Sequence, residues 1–180
     1  MSGRESGTET LRVDDVHAEL LAERDDILDD VATMDEGNPA YPDLVERGAT
    51  IDTHLDGVEW LRDEYGADAT IEVRGLRAGS FAELEDNLHE ATGGRTGPGV
   101  ARNYTVAQGV VAAPFYEDLE STATLEDRLP AVAALPIPVA KWLKQRVDEA
   151  TAVGGNGRKR FGDLLAEKRQ AQTTSTDPSS

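Results

Sequence analysis

Two long stretches in the first third of the chain carry apolar residues at spacings of three, four or seven. In the first stretch these residues are Val13, Val16, Leu20, Ile27, Val31 and Met34. In the second they are Leu44, Ile51, Leu55, Val58, Leu61 and Tyr65, with Trp60 beside them. Because such spacing places residues on one face of a helix, each stretch predicts a helix with a narrow apolar seam. A Gly, Asn and Pro turn at residues 35–39 separates them, which predicts an antiparallel, coiled-coil-like hairpin.

One segment has the pattern of a strand. Residues 69–74 alternate apolar and polar side chains, as in a half-buried strand, and Gly75 ends the alternation. No other segment shows a convincing strand pattern. We therefore expect either a short edge strand or a strand that pairs with one from another chain.

The rest of the chain indicates further helices. Ser80 and Glu83 have the spacing of a capping box and predict a helix through about His89. A Gly-rich loop at residues 93–99 separates it from an apolar segment at residues 100–113, which Pro114 closes. Residues 124–127 predict a second cap and a short helix. The last strong amphipathic face is formed by Val139, Trp142, Leu143, Val147 and Ala150.

These patterns predict a mainly α fold, with an N-terminal αα-hairpin followed by a small helical domain that contains one short strand. The predicted divisions are a flexible N-terminus at residues 1–10, an acidic hairpin at 11–66, a helical domain at 67–153, a basic C-terminal helix with its preceding Gly-rich linker at 154–172, and a disordered tail at 173–180.

The charge is acidic and unevenly placed. The 180 residues contain 35 acidic and 18 basic side chains, a net charge of −17. Residues 1–70 hold 20 acidic and 5 basic side chains, whereas residues 141–180 hold 5 and 8. This balance argues against the broad basic surface that duplex DNA requires. Arg supplies 14 of the 18 basic residues, and together with the acid excess this is typical of a protein adapted to molar salt.

Candidate chemistry is sparse. The chain has no Cys, which removes disulfides, thiol catalysis and Cys-type metal sites. His17, His54 and His89 lie on three separate predicted helices and form no metal-ligand or catalytic motif. We therefore expect no enzyme, no cofactor and no metal site. Since the N-terminus and the rest of the chain lack a long apolar segment, we also expect a soluble intracellular protein without a membrane segment.

The order of elements from residue 71 onward supports a resemblance. The strand leads into Gly75-Leu76-Arg77-Ala78-Gly79-Ser80-Phe81, and Val106-Ala107-Gln108-Gly109-Val110-Val111-Ala112-Ala113-Pro114 follows. Leu129-Pro130 then precedes the helix with Trp142-Leu143. This order resembles tail assembly chaperones of siphovirus-like tailed viruses, over residues 71–153. The hairpin lies outside the resemblance.

The resemblance implies a non-enzymatic protein that coats a long helical tape-measure protein and recruits tail-tube subunits in the cytoplasm of a host cell. The composition points to a halophilic archaeon as that host. Family members often have a second, longer form made by ribosomal frameshifting. Homo-oligomerisation also fits the amphipathic helices.

We expect eight residues to contact the protein that the chaperone binds, which we call the client. They are Phe115, Tyr116, Trp142, Leu143, Arg158, Lys159, Arg160 and Phe161.

Two rival interpretations stay open. One is a structural virion component, such as a head–tail adaptor or completion protein. The other is a small dimeric regulatory or nucleic-acid-binding protein, which binds through the basic cluster at residues 158–160.

Overall fold

A computed structural model describes residues 8–94, 97–120 and 122–153 of the chain. In these ranges the elements are, in chain order, β1 (Thr8–Arg12), α1 (Val13–Thr33), α2 (Tyr41–Tyr65), β2 (Thr70–Arg74), α3 (Ala78–Thr92), α4 (Pro98–Gly109), β3 (Val110–Ala112), a 3-10 turn (Pro114–Tyr116), α5 (Leu125–Ala133) and α6 (Ile137–Val153). The protein is mainly helical, as the hydrophobic pattern predicts. No helix in these ranges is both long enough and apolar enough to cross a membrane.

The helices α1 and α2 form the predicted hairpin. Ile27, Ile51 and Leu55 make a small apolar cluster between them. The turn is held by two side chains, since Asp35 accepts a hydrogen bond from the Gly37 amide at 2.7 Å and Asn38 accepts one from the Ala40 amide at 2.9 Å. Towards its open end the hairpin joins the main core, through residues that include Val16, Val58 and Leu61.

The predicted strand is present as β2, and it lies at the centre of a three-stranded antiparallel sheet in the order β1-β2-β3. Leu11 of β1 pairs with Ile71, and Ala112 of β3 pairs with Glu72. The expectation of a lone edge strand is therefore corrected, because β2 has a neighbour from its own chain on each side. Residues 8–10, which we expected to be flexible, belong to β1.

Backbone pairing explains why β1 turns directly into α1. The first amides of a helix have no partner within the helix. Here the Val13 amide donates to the Ala69 carbonyl at 2.9 Å and the Asp14 amide to the Ala67 carbonyl at 3.1 Å. Arg12 adds an ion pair with Asp68 at 2.6 Å. The loop before β2 thus caps α1 and fixes the hairpin to the sheet.

Helix α6 is the central element of the main core. Val139, Leu143 and Val147 are fully buried, and α6 contacts α2, α4 and β2. Its C-terminal part is also tied to the loop after β2, where the Leu76 amide donates to Thr151 Oγ1 at 2.8 Å. The amphipathic face predicted for this segment is therefore an interior face.

The two predicted caps have different outcomes. Thr124 and Asp127 form a reciprocal capping box at the start of α5, as expected. Helix α3 instead begins at Ala78, so Ser80 lies inside the helix and does not cap it. The apolar segment at residues 100–113 also divides into α4 and the short strand β3.

Candidate protein-binding surface

A groove lies beside β3, and Val111 and Ala112 of this strand are part of its lining. It has a volume of about 300 Å³. Its lining is formed by Val111, Ala112, Ala113, Tyr116, Leu119, Glu120, Ala123 and Arg128. We call it the edge-strand groove. The strand, the 3-10 turn, the loop that follows it and Arg128 of α5 build the groove.

Tyr116 is the most unusual side chain of the edge-strand groove. It is only 8% exposed, and its phenolic oxygen is buried without a hydrogen-bond partner. Phe115 packs edge-on against its ring, with 4.6 Å between the ring centroids. Burial raises the pKa of Tyr116 far above its usual range, against a smaller lowering by Arg128. The phenol is therefore a protonated donor without an acceptor.

Arg128 lies over the same ring. Its guanidinium carbon is 5.7 Å from the centroid of the Tyr116 ring, and Nη1 donates to the Val110 carbonyl at 3.4 Å. Within the described ranges it forms no ion pair with a carboxylate. Because a guanidinium has five N–H donors, Arg128 keeps hydrogen-bonding capacity on the groove side.

A second groove includes the first residues of α5 in its lining. Its volume is about 540 Å³, and Asn87, Glu90, Tyr104, Thr124, Leu125 and Glu126 line it. We call it the α3–α4–α5 groove. Half-buried Tyr104 and Leu125 supply apolar surface, and Glu90 and Glu126 are exposed carboxylates. Hydrogen bonds from Thr124 lower the pKa of Asp127, which keeps the carboxylate of this helix cap charged.

The structure brings together only part of the predicted partner residues. Tyr116 lines the edge-strand groove, and Phe115 packs against its ring without lining the groove. Trp142 and Leu143 are 2% and 0% exposed and belong to the main core. Their side chains have no surface to offer a partner, because the amphipathic face on which they lie is covered by other elements of this chain. Arg158, Lys159, Arg160 and Phe161 lie outside the described residues.

Sequence reasoning missed Arg128, Tyr104 and Leu125. One signal for Arg128 was present, because it is the sole basic residue between Arg102 and Lys141. Tyr104 and Leu125 carried no comparable signal, since each fits the apolar face of its own helix.

A third cavity lies between α1, α2 and α6. It measures about 130 Å³, and His54 lines it together with Glu23 of α1 and Glu149 of α6. His54 is only 5% exposed. Its pKa is lowered by burial, against smaller opposite effects of Glu149 and Glu23, and Lys141 adds a slight lowering. In the described ranges no cluster of His and carboxylate side chains is suited to hold a metal ion. Because burial lowers the pKa of His54, the stability of this part of the core is expected to depend on pH.

We expect acidification to destabilise the protein through His54. Above pH 6.5 the imidazole is neutral in both states and contributes no pH dependence. As the pH falls below 6.5, the unfolded chain binds the proton first, so stability falls until the pH reaches the lowered pKa of the folded state. Each unit by which folding lowers the pKa of His54 corresponds to a loss of about 1.4 kcal/mol in the free energy of unfolding at low pH. Urea unfolding at a series of pH values between about 6.5 and 4.5 measures this slope.

His54→Leu is the matched variant, because it keeps an apolar side chain of similar size and cannot be protonated. Its unfolding free energy should vary less over the same pH range than that of the native chain. Equal slopes for the two proteins would show that other groups cause the pH dependence.

The described residues form a mainly helical protein with a small antiparallel sheet, and they include the edge-strand groove and the α3–α4–α5 groove. No family model matches the chain, and no curated protein or solved structure matches it either.

Proposed function

We propose that the protein is a non-enzymatic tail assembly chaperone, which binds a tape-measure protein and helps recruit tail-tube subunits around it. The sequence resemblance over residues 71–153 supports this proposal. The two grooves are built entirely by this part of the chain. The acidic composition favours a virus of a halophilic archaeon as the source.

The observation that carries the proposal is the α3–α4–α5 groove. Its apolar side chains, Tyr104 and Leu125, are accompanied by the exposed carboxylates Glu90 and Glu126. A groove between helices that is lined by both apolar and charged side chains is suited to an amphipathic helix of a partner. A long helical client presents many such segments, so weak contacts at one groove per chaperone add up to strong binding through multivalency.

The test is capture of the client by the tagged full-length chain from producing cells, lysed in molar salt and analysed by mass spectrometry. We expect enrichment of one very long helical protein together with tail-tube subunits. Enrichment of portal or capsid proteins would instead support the head–tail adaptor. Recovery of nucleic acid, or of no viral protein, would contradict both viral functions.

A pair of variants locates the contact. Leu125→Asp replaces an apolar lining residue of the groove by a charged one, and we expect at least a tenfold loss of client capture. Asp is well tolerated in the first turn of a helix, so α5 should still form. Val45→Asp is the matched control, because Val45 is 46% exposed on α2 and lines neither groove. Equal capture by the two variants would place the client elsewhere.

A further inference from the structure

The α3–α4–α5 groove combines apolar surface with negative charge. Glu90 and Glu126 are its exposed carboxylates, and none of the described residues that line it is basic. Half-buried Tyr104 and Leu125 supply the apolar part. Its volume of about 540 Å³ falls within the range of about 300–1,000 Å³ that is typical of binding pockets. The groove therefore suits an occupant with both apolar and basic side chains.

One segment of this chain has that combination. Residues 158–172, which lie outside the described residues and which we call the basic segment, hold five basic and two acidic side chains. The large apolar residues of the segment are Phe161, Leu164 and Leu165. Their spacing predicts that they share one face of a helix. Arg158 lies three positions before the first of them and Lys168 three positions after the last, so the predicted face has a cation at each end.

The end of α6 brings the basic segment within reach of the groove. The Leu76 amide donates to Thr151 Oγ1 at 2.8 Å, so the last turn of α6 lies beside the loop that leads into α3. From its first residue to Glu90, α3 rises about 18 Å at about 1.5 Å per residue. The chain from Val153 to Phe161 spans up to about 26 Å when it is extended. It is therefore long enough to follow α3 to the groove.

The acidic hairpin is the other surface of opposite charge, and screening disfavours it. At molar salt the Debye length is about 3 Å, so charge alone attracts the basic segment weakly. An isolated helix of about 12–15 residues is marginally stable in water. The segment is therefore stabilised most where its apolar face is covered as well, and the α3–α4–α5 groove offers both kinds of contact.

We propose that the basic segment docks as a helix into the α3–α4–α5 groove of its own chain, with its apolar face on Tyr104 and Leu125 and its cations beside the two carboxylates. The effect on the client rests on the proposed function, which assigns the same groove to a client helix. A client helix then has to displace the basic segment, and it does so with the same pattern of apolar and basic residues.

Paramagnetic relaxation enhancement in the isotope-labelled full-length chain tests the docking. The chain has no Cys, so Gln170→Cys provides one site for a nitroxide label, on the predicted helix face opposite to the apolar residues. We expect the label to broaden the amide signals of Glu90, Tyr104 and Leu125 and to leave that of Leu28 on α1 unchanged. Broadening confined to the hairpin, or no broadening in the groove, would overturn the proposal.

Two variants of the basic segment test its apolar face. Leu165→Asp removes a central apolar contact. Because burying a Leu side chain contributes about 1.5–3 kcal/mol, the docking equilibrium constant should fall at least about tenfold, and the broadening with it. Ala166→Asp adds the same charge on the opposite face and should keep the broadening. Equal broadening in the two variants would contradict the predicted face.

Two paired variants test the groove. Glu90→Gln combined with Glu126→Gln should lower the docking constant about threefold, the effect of losing two exposed ion pairs. Asp29→Asn combined with Asp30→Asn removes the same charge from exposed positions on α1 and should have no effect. An equal loss for both pairs would show general attraction to an acidic surface, which the proposal excludes.

A mixing experiment separates docking within one chain from exchange between copies. Spin-labelled chain without isotopes is mixed with isotope-labelled chain without the spin label. Docking within one chain leaves the groove signals sharp in this mixture. Broadened groove signals would show that a second copy is the occupant and would overturn the proposal.

Client capture tests the competition. Leu165→Asp should capture at least about threefold more client than Ala166→Asp, because apparent affinity scales with the fraction of chains whose groove is open. Equal or lower capture would contradict the competition. If the native chain shows groove broadening but captures no client, the docking stands and the proposed function is wrong. If it captures the client without groove broadening, the inference is wrong and the chaperone function stands.

Discussion

Replacing Trp142 by alanine is expected to lower the free energy of unfolding by about 3–5 kcal/mol, the range for large-to-small changes at a buried aromatic side chain. Trp142 is 2% exposed and is one of the largest fully buried side chains of the core. It lies on α6 and also lines the small cavity that Val16 of α1 and Ile51 of α2 share. The loss is a large part of the 5–15 kcal/mol that stabilises a typical domain. Urea unfolding followed by far-ultraviolet circular dichroism measures it.

Trp60→Ala is the control for this change. Trp60 is half-buried and packs edge-on against Tyr65, with 5.9 Å between the ring centroids. Because it is only partly removed from water, we expect a smaller loss of about 1–2 kcal/mol. If Trp142→Ala kept the stability of the native chain and lost the client, Trp142 would be the partner contact that its sequence pattern suggested, and its assignment to the core would be wrong.

The helical hairpin and the central strand could be predicted because their signals are local. The apolar spacing from Val13 to Tyr65 extends over many turns, and the alternation in β2 matches the two-residue period of a strand. The capping box at Thr124 is likewise a property of four consecutive residues. In each case neighbours in the sequence contain the information that determines the local structure.

The strands β1 and β3 could not be predicted in this way. β1 has Leu11 as its single buried residue, and β3 has three residues that continue the apolar run of α4. Both are strands because they pair with β2, from which they are distant in the sequence. Pairing between segments that are distant in the sequence cannot be recognised from a short stretch of residues.

The same limit explains why two of the residues expected to contact a partner lie in the core. The amphipathic face of α6 was identified correctly, but its periodicity does not tell whether the face meets a partner or the rest of the chain. Helix α6 packs against α2 and α4, so its apolar face is interior and Trp142 and Leu143 are buried. Phe115 and Tyr116, by contrast, follow the Pro114 break, and the break keeps them beside the edge of the sheet.

Replacing Gly57 by alanine is expected to destabilise the protein by about 1–3 kcal/mol, and by more if the helices cannot move apart. Gly57 is buried on α2 where α6 begins. A Cβ atom at this position would lie 2.8 Å from the carbonyl carbon of Pro138 and 2.8 Å from the amide nitrogen of Val139. Both are backbone atoms, so no side-chain rotation can make room. The shift in urea unfolding midpoint, with an unchanged slope, measures the effect.

Gly48→Ala is the matched control, because Gly48 lies on the same helix. A Cβ atom there would be 3.6 Å from Ile27 Cγ2, an ordinary contact. Alanine restricts the unfolded chain and favours the helix, so this variant should be more stable than the native chain by about 0.5–1 kcal/mol. The opposite signs of the two changes separate helix propensity from packing. Stabilisation by both would mean that α2 and α6 do not approach closely at Gly57, and the buried position of α6 would then need another explanation.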